Sequence, residues 1–198
     1  MDVKRRKAEQ SEATRAALIS AARGLFAEHG FADTATEEIV QHAGVTRGAL
    51  YHHFKDKTAL FRAVVEQIEG EVTAKTGEAA MGAGGIWEGI VAATDAFLDE
   101  CLDPAIRRII LIDAPSALGL ATWREIERTY GLALIQMALE AAMGDGLIAR
   151  QPVEPLAHIV AGAINEAALT IGAADDPVRA RKEVGAALIG LLEGLRTR

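Results

Sequence analysis

Three ring side chains stand side by side in the segment VTRGALYHHFKDKTAL, which covers residues 45–60. They are Tyr51, His52 and His53, with Arg47 before them and two lysines after them. On a helix of 3.6 residues per turn, three consecutive side chains cannot all point into a core. At least one ring must therefore face solvent or a partner, and phenol, imidazole and guanidinium groups can all donate hydrogen bonds to an anion.

The sequence around these rings predicts three helices and a tight turn. An amphipathic helix is expected over residues 11–29, with Gly30 as its C-terminal cap. Thr34, followed by a glutamate at the capping-box spacing, is predicted to begin a short helix, and Thr46 is predicted to cap the next one. Gly44 lies between them, where glycine readily takes a positive φ. This arrangement predicts a helix-turn-helix, whose second helix enters the major groove of DNA.

The residue types of that second helix suit contact with a duplex. Leu50 and Phe54 are four residues apart and are expected to face the core. Arg47 can reach a guanine edge or a phosphate, and Gly48 lets the helix backbone approach closely. The alternative for each ring is core packing, and for His53 it is a structural hydrogen bond. The predicted DNA contacts are Thr46, Arg47, Gly48, Tyr51, His52 and His53 and, in the first turn of the following helix, Lys57.

Residues 30–61, GFADTATEEIVQHAGVTRGALYHHFKDKTALF, resemble the DNA-binding signature of TetR-family transcriptional regulators. The resemblance implies an Ω-shaped homodimer of nine- or ten-helix subunits, each with an N-terminal operator-binding domain and a C-terminal domain that binds a small effector. By position, it implies that Thr46, Arg47, Gly48, Tyr51 and His52 face the operator, while Tyr51, His53 and Lys57 hold phosphates.

Two positions in the head leave alternatives open. Ala35 stands where the family often has serine or threonine, so that either a phosphate contact is missing or Thr36 supplies it. The basic segment from Lys4 to Lys7 either reaches an adjacent phosphate or minor groove, or forms a disordered solubilising tail.

The charge is unevenly distributed along the chain, whose formal net charge is −7. Residues 1–62 hold ten Lys or Arg and eight Asp or Glu, whereas the remaining residues hold eleven and twenty. A mildly basic head on an acidic body predicts an anionic partner at the head only. One cysteine, Cys101, excludes an internal disulfide framework and fits a reducing cytoplasm. No stretch approaches the ~20 uninterrupted apolar residues of a membrane span, so we expect a cytoplasmic protein without a membrane partner.

Composition and the lack of strand-like alternation predict an all-α fold, in which a helix-turn-helix domain precedes a helical domain for ligand binding and dimerisation. The first domain is expected over residues 1–55 and the second over 56–198, beginning with a connecting helix at about 56–75 that Asp56 caps. Residues 76–85 hold four glycines and predict a linker. Further helices are expected at about 86–101, 104–112, 122–143, 155–173 and 178–195, with Asp103 capping the second and a Thr122–Glu125 capping box beginning the third.

Aromatic and polar side chains of the body suggest a pocket for a small apolar or aromatic effector. Trp123 and Tyr130 are seven residues apart, two turns along one helix face, and His158 and Asn165 share the same spacing. For each of these residues the alternative is ordinary core packing, and for the last two also a dimer contact. The segment DAPSALG, residues 113–119, interrupts the helical pattern, and a kink there would couple pocket to head. The predicted ligand-binding residues are Trp87, Phe97, Trp123, Tyr130, His158 and Asn165.

The last two helices carry apolar stripes that predict a homodimer through a four-helix bundle, with packing inside one chain as the alternative. The function expected is a repressor that binds double-stranded operator DNA and is released by its effector. An activator on the same fold and a nonspecific DNA-coating protein are alternatives. An all-helical enzyme is disfavoured, because the body has a single histidine, His158, and lacks metal-ligand spacing such as HExxH. Since His52 and His53 are adjacent and project in different directions, no metal and no cofactor is predicted.

Overall fold

The computed structural model describes the backbone of residues 2–197 and the side chains of residues 5–197. Within this range the chain is helical almost throughout, which confirms the predicted all-α fold. The helices are α1 (Asp2–Asp33), α2 (Thr36–His42), α3 (Arg47–His53), α4 (Lys57–Met81), α5 (Ile86–Glu100), α6 (Pro104–Arg107), α7 (Ala114–Leu118), α8 (Leu120–Thr129), α9 (Gly131–Gly144), α10 (Val153–Ala173) and α11 (Pro177–Glu193).

A π-helical segment, Arg108–Asp113, continues α6 into α7 without a break in helical backbone geometry. When this run is counted as one rod, the described residues form ten helices. The interruption predicted at residues 113–119 is found at the last of these residues, and the π-helical segment before it is an irregularity that was not predicted. The chain stays helical as far as Leu118 and turns at Gly119, whose φ is 78°.

The head consists of α1, α2, α3 and the start of α4, packed around one apolar core. Phe26 and Phe61 are fully buried and meet edge to face, with ring centroids 5.0 Å apart. Leu50 and Phe54 of α3 are 0% and 5% exposed, as their spacing predicts. Aromatic pairs in this geometry stabilise a core beyond the area that they bury, so α3 is held firmly by its inner face.

Two caps and one glycine set the course of the chain around α3. The Thr46 hydroxyl accepts the amide N–H of Ala49 at 3.2 Å, and the Asp56 carboxylate accepts that of Ala59 at 2.7 Å. Both predicted N-caps are thereby confirmed. Gly44 has a φ of 65°, the left-handed geometry that its place in the turn requires.

The predicted start of α2 at Thr34 is wrong. Thr34 is buried, and its hydroxyl donates to the carbonyl oxygen of Gly30 at 2.7 Å instead of accepting an amide. The helix begins after Ala35, whose amide N–H donates to the carboxylate of Glu38 at 3.2 Å. Gly30, with a φ of 82°, breaks the helical geometry near the end of α1.

The N-terminal basic segment prolongs α1 instead of forming a tail. In this added stretch Arg5 makes an exposed ion pair with Glu9 at 2.9 Å. The side chain of Lys4 lies outside the described residues.

The predicted linker at residues 76–85 is wrong for its first six residues. The connecting helix continues to Met81, and Thr76 is buried with its hydroxyl donating to the carbonyl oxygen of Val72 at 3.0 Å. Only residues 82–85 form a turn before α5. One uninterrupted helix, α4, therefore carries the chain from the head into the body and packs along α5.

The helix predicted at residues 122–143 is two helices. Tyr130, with φ −112° and ψ −100°, breaks it, and the first part begins after Gly119. The capping box predicted from Thr122 and Glu125 is therefore not used. Helices α5, α10 and α11 begin and end close to the predicted positions, and the Asp103 carboxylate caps α6 as expected. The helix predicted at 104–112 begins as expected but continues as a helical run to Leu118.

The last two helices use most of their apolar side chains inside the chain. Leu156, Val160 and Ile164 of α10 are buried. By length and composition α10 could also cross a bilayer, a test that packed core helices pass as well. Ile159 of α10 and Leu191 of α11 are exposed at 69% and 56% and remain on the outside of these helices.

Candidate functional site

The recognition surface is the outer side of α3, and its shape follows from what the inner side buries. Leu50 and Phe54 fix the helix to the head core, and the guanidinium of Arg15 stacks 5.5 Å from the centre of the Phe54 ring. The predicted contact residues Thr46, Arg47, Gly48, Tyr51 and His52 are exposed, and His53 is half-buried. The structure thus places on one surface the side chains that the sequence predicts to contact DNA.

Nothing within the protein requires residue 48 to be glycine. A β-carbon built at this position would find the Thr46 hydroxyl as its nearest neighbour at 3.8 Å, an ordinary contact. Its backbone is helical, so no positive φ requires glycine either. Since glycine lowers helix stability by about 0.5–1 kcal/mol relative to alanine, a bare backbone here favours close approach of an external partner.

The glutamate that the sequence assigned to a capping box with Thr34 lies instead against this surface, a role that was not predicted. The Glu37 carboxylate accepts an ion pair from Arg47 at 2.9 Å and a hydrogen bond from the Thr36 hydroxyl at 3.1 Å. A backbone hydrogen bond, the Thr36 hydroxyl and the Arg47 charge, in that order, lower the pKa of Glu37. Thr36 and Arg47 are therefore both engaged before any partner binds, and Arg47 also lies 5.6 Å from the Tyr51 ring centre.

Lys57 is placed differently from the expectation of a free phosphate contact. Its ammonium donates to the carbonyl oxygens of Phe31, Ala32 and Thr34 at 2.7, 3.3 and 3.0 Å. It also lies 4.4 Å from the centre of the Phe31 ring. An ammonium has three donors, and all three have acceptors here. A phosphate contact by Lys57 would require the release of at least one of these bonds.

The body grips the same end of α1 through two side chains of the π-helical segment, which we call the clamp. Arg108 donates to the carbonyl oxygens of Glu28 and His29 at 3.1 and 3.0 Å, and Asp113 accepts the amide N–H of Phe31 at 2.9 Å. A β-carbon at Gly30 would lie 2.5 Å from the Arg108 guanidinium. Glycine is needed there both for its positive φ and for this close approach.

A cavity of about 110 Å³ lies among the body helices. Its walls include five of the six predicted ligand residues, namely Trp87, Phe97, Trp123, His158 and Asn165. Tyr130, the sixth, is not among the residues that line it. The break between α8 and α9 removes Tyr130 from the face of Trp123 and places its ring beside Gly70 of α4.

Two acidic side chains, Glu69 of α4 and Glu127 of α8, also line this cavity and were not predicted. Burial, and secondarily the charge of Glu127, raise the pKa of Glu69 to about 7. Burial also raises the pKa of Glu127, against the opposing effects of Asn165, Arg124 and His158. The two glutamates are 58 residues apart in the sequence, and neither stands in a motif, so no local signal pairs them.

Some polar groups of the cavity have hydrogen-bond partners and others have none. Asn165 donates to the Glu127 carboxylate at 3.0 Å, and Arg124 lies 3.9 Å from the same carboxylate and 3.4 Å from Nδ1 of His158. The indole Nε1–H of Trp123, in contrast, is buried without a hydrogen-bond partner among the described residues. The indole of Trp87 donates to the carboxylate of Glu193. The walls thus hold an unused donor and a surplus of acid.

The cavity and the clamp share one piece of backbone. Ile110 and Leu111 line the cavity, while Arg108 and Asp113 of the same π-helical segment hold the end of α1. A ligand that displaces the inner side of this segment therefore acts on the residues that contact the head. Among the described residues, no group of three or more His, Cys, Asp or Glu side chains is arranged to hold a metal ion.

Two family models match the chain. One, described as bacterial regulatory proteins of the tetR family, matches residues 18–64. The other, described as the C-terminal domain of tetracyclin repressor-like proteins, matches residues 87–195. The first range includes the recognition surface, and the second includes the clamp and most of the cavity walls.

The curated relatives include proteins named as HTH-type transcriptional regulators and repressors of bacteria. The transposon Tn10 TetC protein of Escherichia coli is 31% identical over 132 residues, which is 65% of this chain and 63% of that protein. The HTH-type transcriptional regulator AcrR of Shigella flexneri is 40% identical over 68 residues, 34% of this chain and 32% of that protein. The chain therefore spans less than two thirds of the length of these relatives.

Solved structures match over nearly the whole chain. A TetR-family transcriptional regulator of Pectobacterium atrosepticum has a TM-score of 0.80 at 35% identity, over 96% of this chain and 97% of that one. RolR, solved in complex with resorcinol, has a TM-score of 0.73 at 21% identity, over 93% and 89%. The second likeness is one of fold.

Burial of Glu69 makes the stability of the protein depend on pH. Between about 4.5 and about 7 the folded protein keeps a proton on Glu69 that the unfolded chain has lost, so the free energy of unfolding falls as pH rises through this window. Glu69→Gln removes this titration. We expect the unfolding free energy of the variant, relative to the wild type, to rise by roughly 2 kcal/mol between about pH 5 and about pH 8.

Chemical denaturation of both proteins at the two pH values measures this difference. Glu78→Gln removes an exposed carboxylate from the same helix and serves as the control, for which no such change is expected. A difference between Glu69→Gln and wild type that does not vary with pH would contradict the raised pKa.

Proposed function

Because the chain belongs to the TetR family of bacterial transcriptional regulators, we propose that it is a ligand-responsive repressor that binds operator DNA as a homodimer and is released by a small effector. Members of this family are regulators and not enzymes, so the alternative of an all-helical enzyme falls away. An activator on the same fold remains the second candidate. The observation that carries the proposal is the exposed face of α3 around Gly48, built on a buried Leu50 and Phe54.

Operator recognition is proposed to use the outer side of α3. Thr46, Arg47, Gly48, Tyr51 and His52 would face the major groove, with His53, Lys57 and Thr36 as phosphate contacts. Arg47 is supported as a base or phosphate contact because its guanidinium is exposed and is held by an exposed ion pair with Glu37. When Arg47 binds a phosphate, it must leave the Glu37 carboxylate, so that one charged partner replaces another. The ion pair with Glu37 therefore makes weak, nonspecific binding of phosphates less favourable.

The effector is proposed to occupy the body cavity and to act on the head through the clamp. A cavity walled by Trp87, Phe97 and Trp123 suits an aromatic ligand. RolR, which shares the fold, has been solved with resorcinol. A ligand shifts a two-state equilibrium only when it prefers one state. The π-helical segment supplies the route, because its two sides contact the cavity and the end of α1.

The homodimer is proposed to form through α10 and α11. Ile159 and Leu191 project apolar surface outward, and Gly162 and Gly190 have open space where a side chain would stand. Small residues beside exposed apolar ones allow helices of two subunits to approach closely. Two heads could then contact half-sites about 34–36 Å apart, one turn of DNA. A head over residues 1–55, a body over 56–198 and a cytoplasmic location accord with this function.

Gly48→Ala separates DNA binding from folding. In the free protein the added methyl has room and raises helix propensity, so we expect a melting temperature at or above that of the wild type. Against a duplex the methyl would stand where the backbone must approach, and operator affinity should fall by about tenfold or more. Fluorescence anisotropy measures this, with an operator selected from random duplexes.

Gly24→Ala is the matched control for that experiment. Gly24 is exposed on α1, and a methyl there meets nothing within 4 Å. Operator affinity should be unchanged in this variant. Wild-type operator affinity in Gly48→Ala would contradict the proposed contact surface, and equal affinity of the wild type for selected and random duplexes would contradict sequence-specific repression.

Ile159→Asp tests the dimer interface. A carboxylate placed on each subunit in the centre of an apolar contact is desolvated and repels its copy, so we expect a monomer in sedimentation equilibrium and weaker operator binding. Leu120→Asp changes an equally exposed leucine, at 61%, on α8 and should leave the dimer intact. A dimeric Ile159→Asp protein would place the interface elsewhere.

Arg108→Met tests the route from cavity to head. Arg108 does not line the cavity, so ligand affinity should be retained, while the ratio of operator affinities without and with ligand should fall toward one. The ligand used is a small aromatic compound that raises the melting temperature of the wild type. Arg179→Met, which removes an exposed arginine from α11, is the control. An unchanged ratio in Arg108→Met would show that the signal bypasses the clamp.

A further inference from the structure

Glu69 is an unpaired acid in an apolar cavity. Its side chain belongs to the middle of α4 and is 8% exposed. No hydrogen bond from a described residue reaches its carboxyl group, although that group lines the cavity. A buried polar group without a partner destabilises the fold. A carboxyl group that lines a cavity without a hydrogen-bond donor indicates a ligand that supplies one.

The surroundings of Glu69 set the charge of that ligand. Glu127 on α8 adds a second acid to the same cavity. Among the described residues, the nearest cation to these two acids is Arg124. Its guanidinium lies 3.9 Å from the Glu127 carboxylate and forms an ion pair with that group, not with Glu69. An anionic ligand would be repelled by both glutamates. A neutral ligand can satisfy one hydrogen bond but leaves the surplus negative charge buried.

The walls set the shape of the ligand. Trp87, Phe97 and Trp123 offer aromatic surface, which attracts both rings and organic cations. The volume of about 110 Å³ is below the roughly 150 Å³ of a cavity that admits benzene, so the ligand has at most one ring. The unpartnered Nε1–H of Trp123 can donate to an acceptor atom on the ligand.

We propose that the effector is an arylalkylamine, a single aromatic ring with a short chain that ends in a protonated amine. The ammonium would donate to Glu69, and the ring would lie among Trp87, Phe97 and Trp123. This inference rests on the proposed function, since it names the chemical class of the effector for that cavity.

Proton release should accompany binding of such a cation. The ionisable groups that face Glu69 are Glu127 on α8 and the thiol of Cys101 after α5, and burial raises the pKa of that thiol to about 12. Arg124 and His158 act on Glu127. Below about pH 7 Glu69 carries a proton in the empty protein, and an ammonium displaces it. Amine affinity should therefore weaken as pH falls below about 7.

The test uses three probes of nearly equal size and different charge, namely phenethylamine, 2-phenylethanol and phenylacetate. Isothermal titration calorimetry at about pH 8 should give a preference of about tenfold or more for the amine over the alcohol, with phenylacetate weakest. At about pH 6, titrations in buffers of different ionisation enthalpy should show proton release with the amine and none with the alcohol.

Glu69→Gln should lose both the amine preference and the proton release, whereas Glu78→Gln, altered on an exposed part of the same helix, should keep both. Circular dichroism melts establish that each variant is folded. A wild-type protein that binds 2-phenylethanol as tightly as phenethylamine, or prefers phenylacetate, would overturn the proposal. So would an amine preference that survives Glu69→Gln.

Selection on random duplex DNA keeps the two proposals separate. Specific DNA binding together with a preference for the alcohol would overturn the effector class and leave the repressor function standing. Binding of the amine through Glu69 without any preferred DNA sequence would support the cavity assignment and overturn the repressor function.

Discussion

The rest of the structure depends on how the carbonyl end of α1 is closed. The main rod of that helix ends at Gly30, and its free carbonyl oxygens need donors. Arg108 supplies two hydrogen bonds from the body to carbonyl oxygens at the end of this rod, those of Glu28 and His29. A cation at the negative end of a helix dipole is favourable in itself. Lys57 supplies three from the start of α4 to carbonyl oxygens that follow Gly30. The body and α4 therefore hold the chain on the two sides of Gly30, and it is here that the body contacts the head.

The two candidate sites are built on opposite principles. The α3 surface exposes polar groups on a well-packed support, so a partner meets side chains that are already positioned. The cavity instead buries Glu69, and burial raises the pKa of its carboxyl group to about 7. A preformed surface suits recognition of a fixed duplex. A buried acid suits a ligand that brings its own donor, because such a ligand offsets the cost of burial and can favour one state of the protein.

Local signals in the sequence predicted the head well. The caps at Thr46 and Asp56 and the positive φ of Gly44 depend on residues within three or four positions, and each is found as expected. Thr34 failed because a buried carbonyl oxygen competes for its hydroxyl, and tertiary burial is invisible to a capping pattern. Gly77 did not end α4, because packing along α5 outweighs helix propensity, and the helix ends only at the next glycine, Gly82.

The sequence predicted which kinds of site the chain contains, but not the acidic side chains that determine their charge. Aromatic composition led to five cavity residues, while the break at Tyr130 removed the sixth. The pairing of Glu37 with Arg47 was not predicted, because it joins residues of two different helices. Glu69 was not predicted because its significance comes from burial without a hydrogen-bond partner, which no local pattern reveals. The same holds for the clamp, whose hydrogen bonds to α1 join residues about 80 positions apart.

The π-helical turn has a geometric consequence for the clamp. Arg108 and Asp113 are five residues apart, and their side chains approach within 3.8 Å. In an ordinary α-helix five residues advance the direction of a side chain by about 140° beyond a full revolution, so such a pair would point to different sides. The wider turn, with its i→i+5 hydrogen bonding, brings both to one side. If this stretch tightened by one residue, the pair would come out of phase, and either the guanidinium or the carboxylate would lose its hold on α1. Only the wider register therefore allows both side chains of the clamp to hold α1 at the same time.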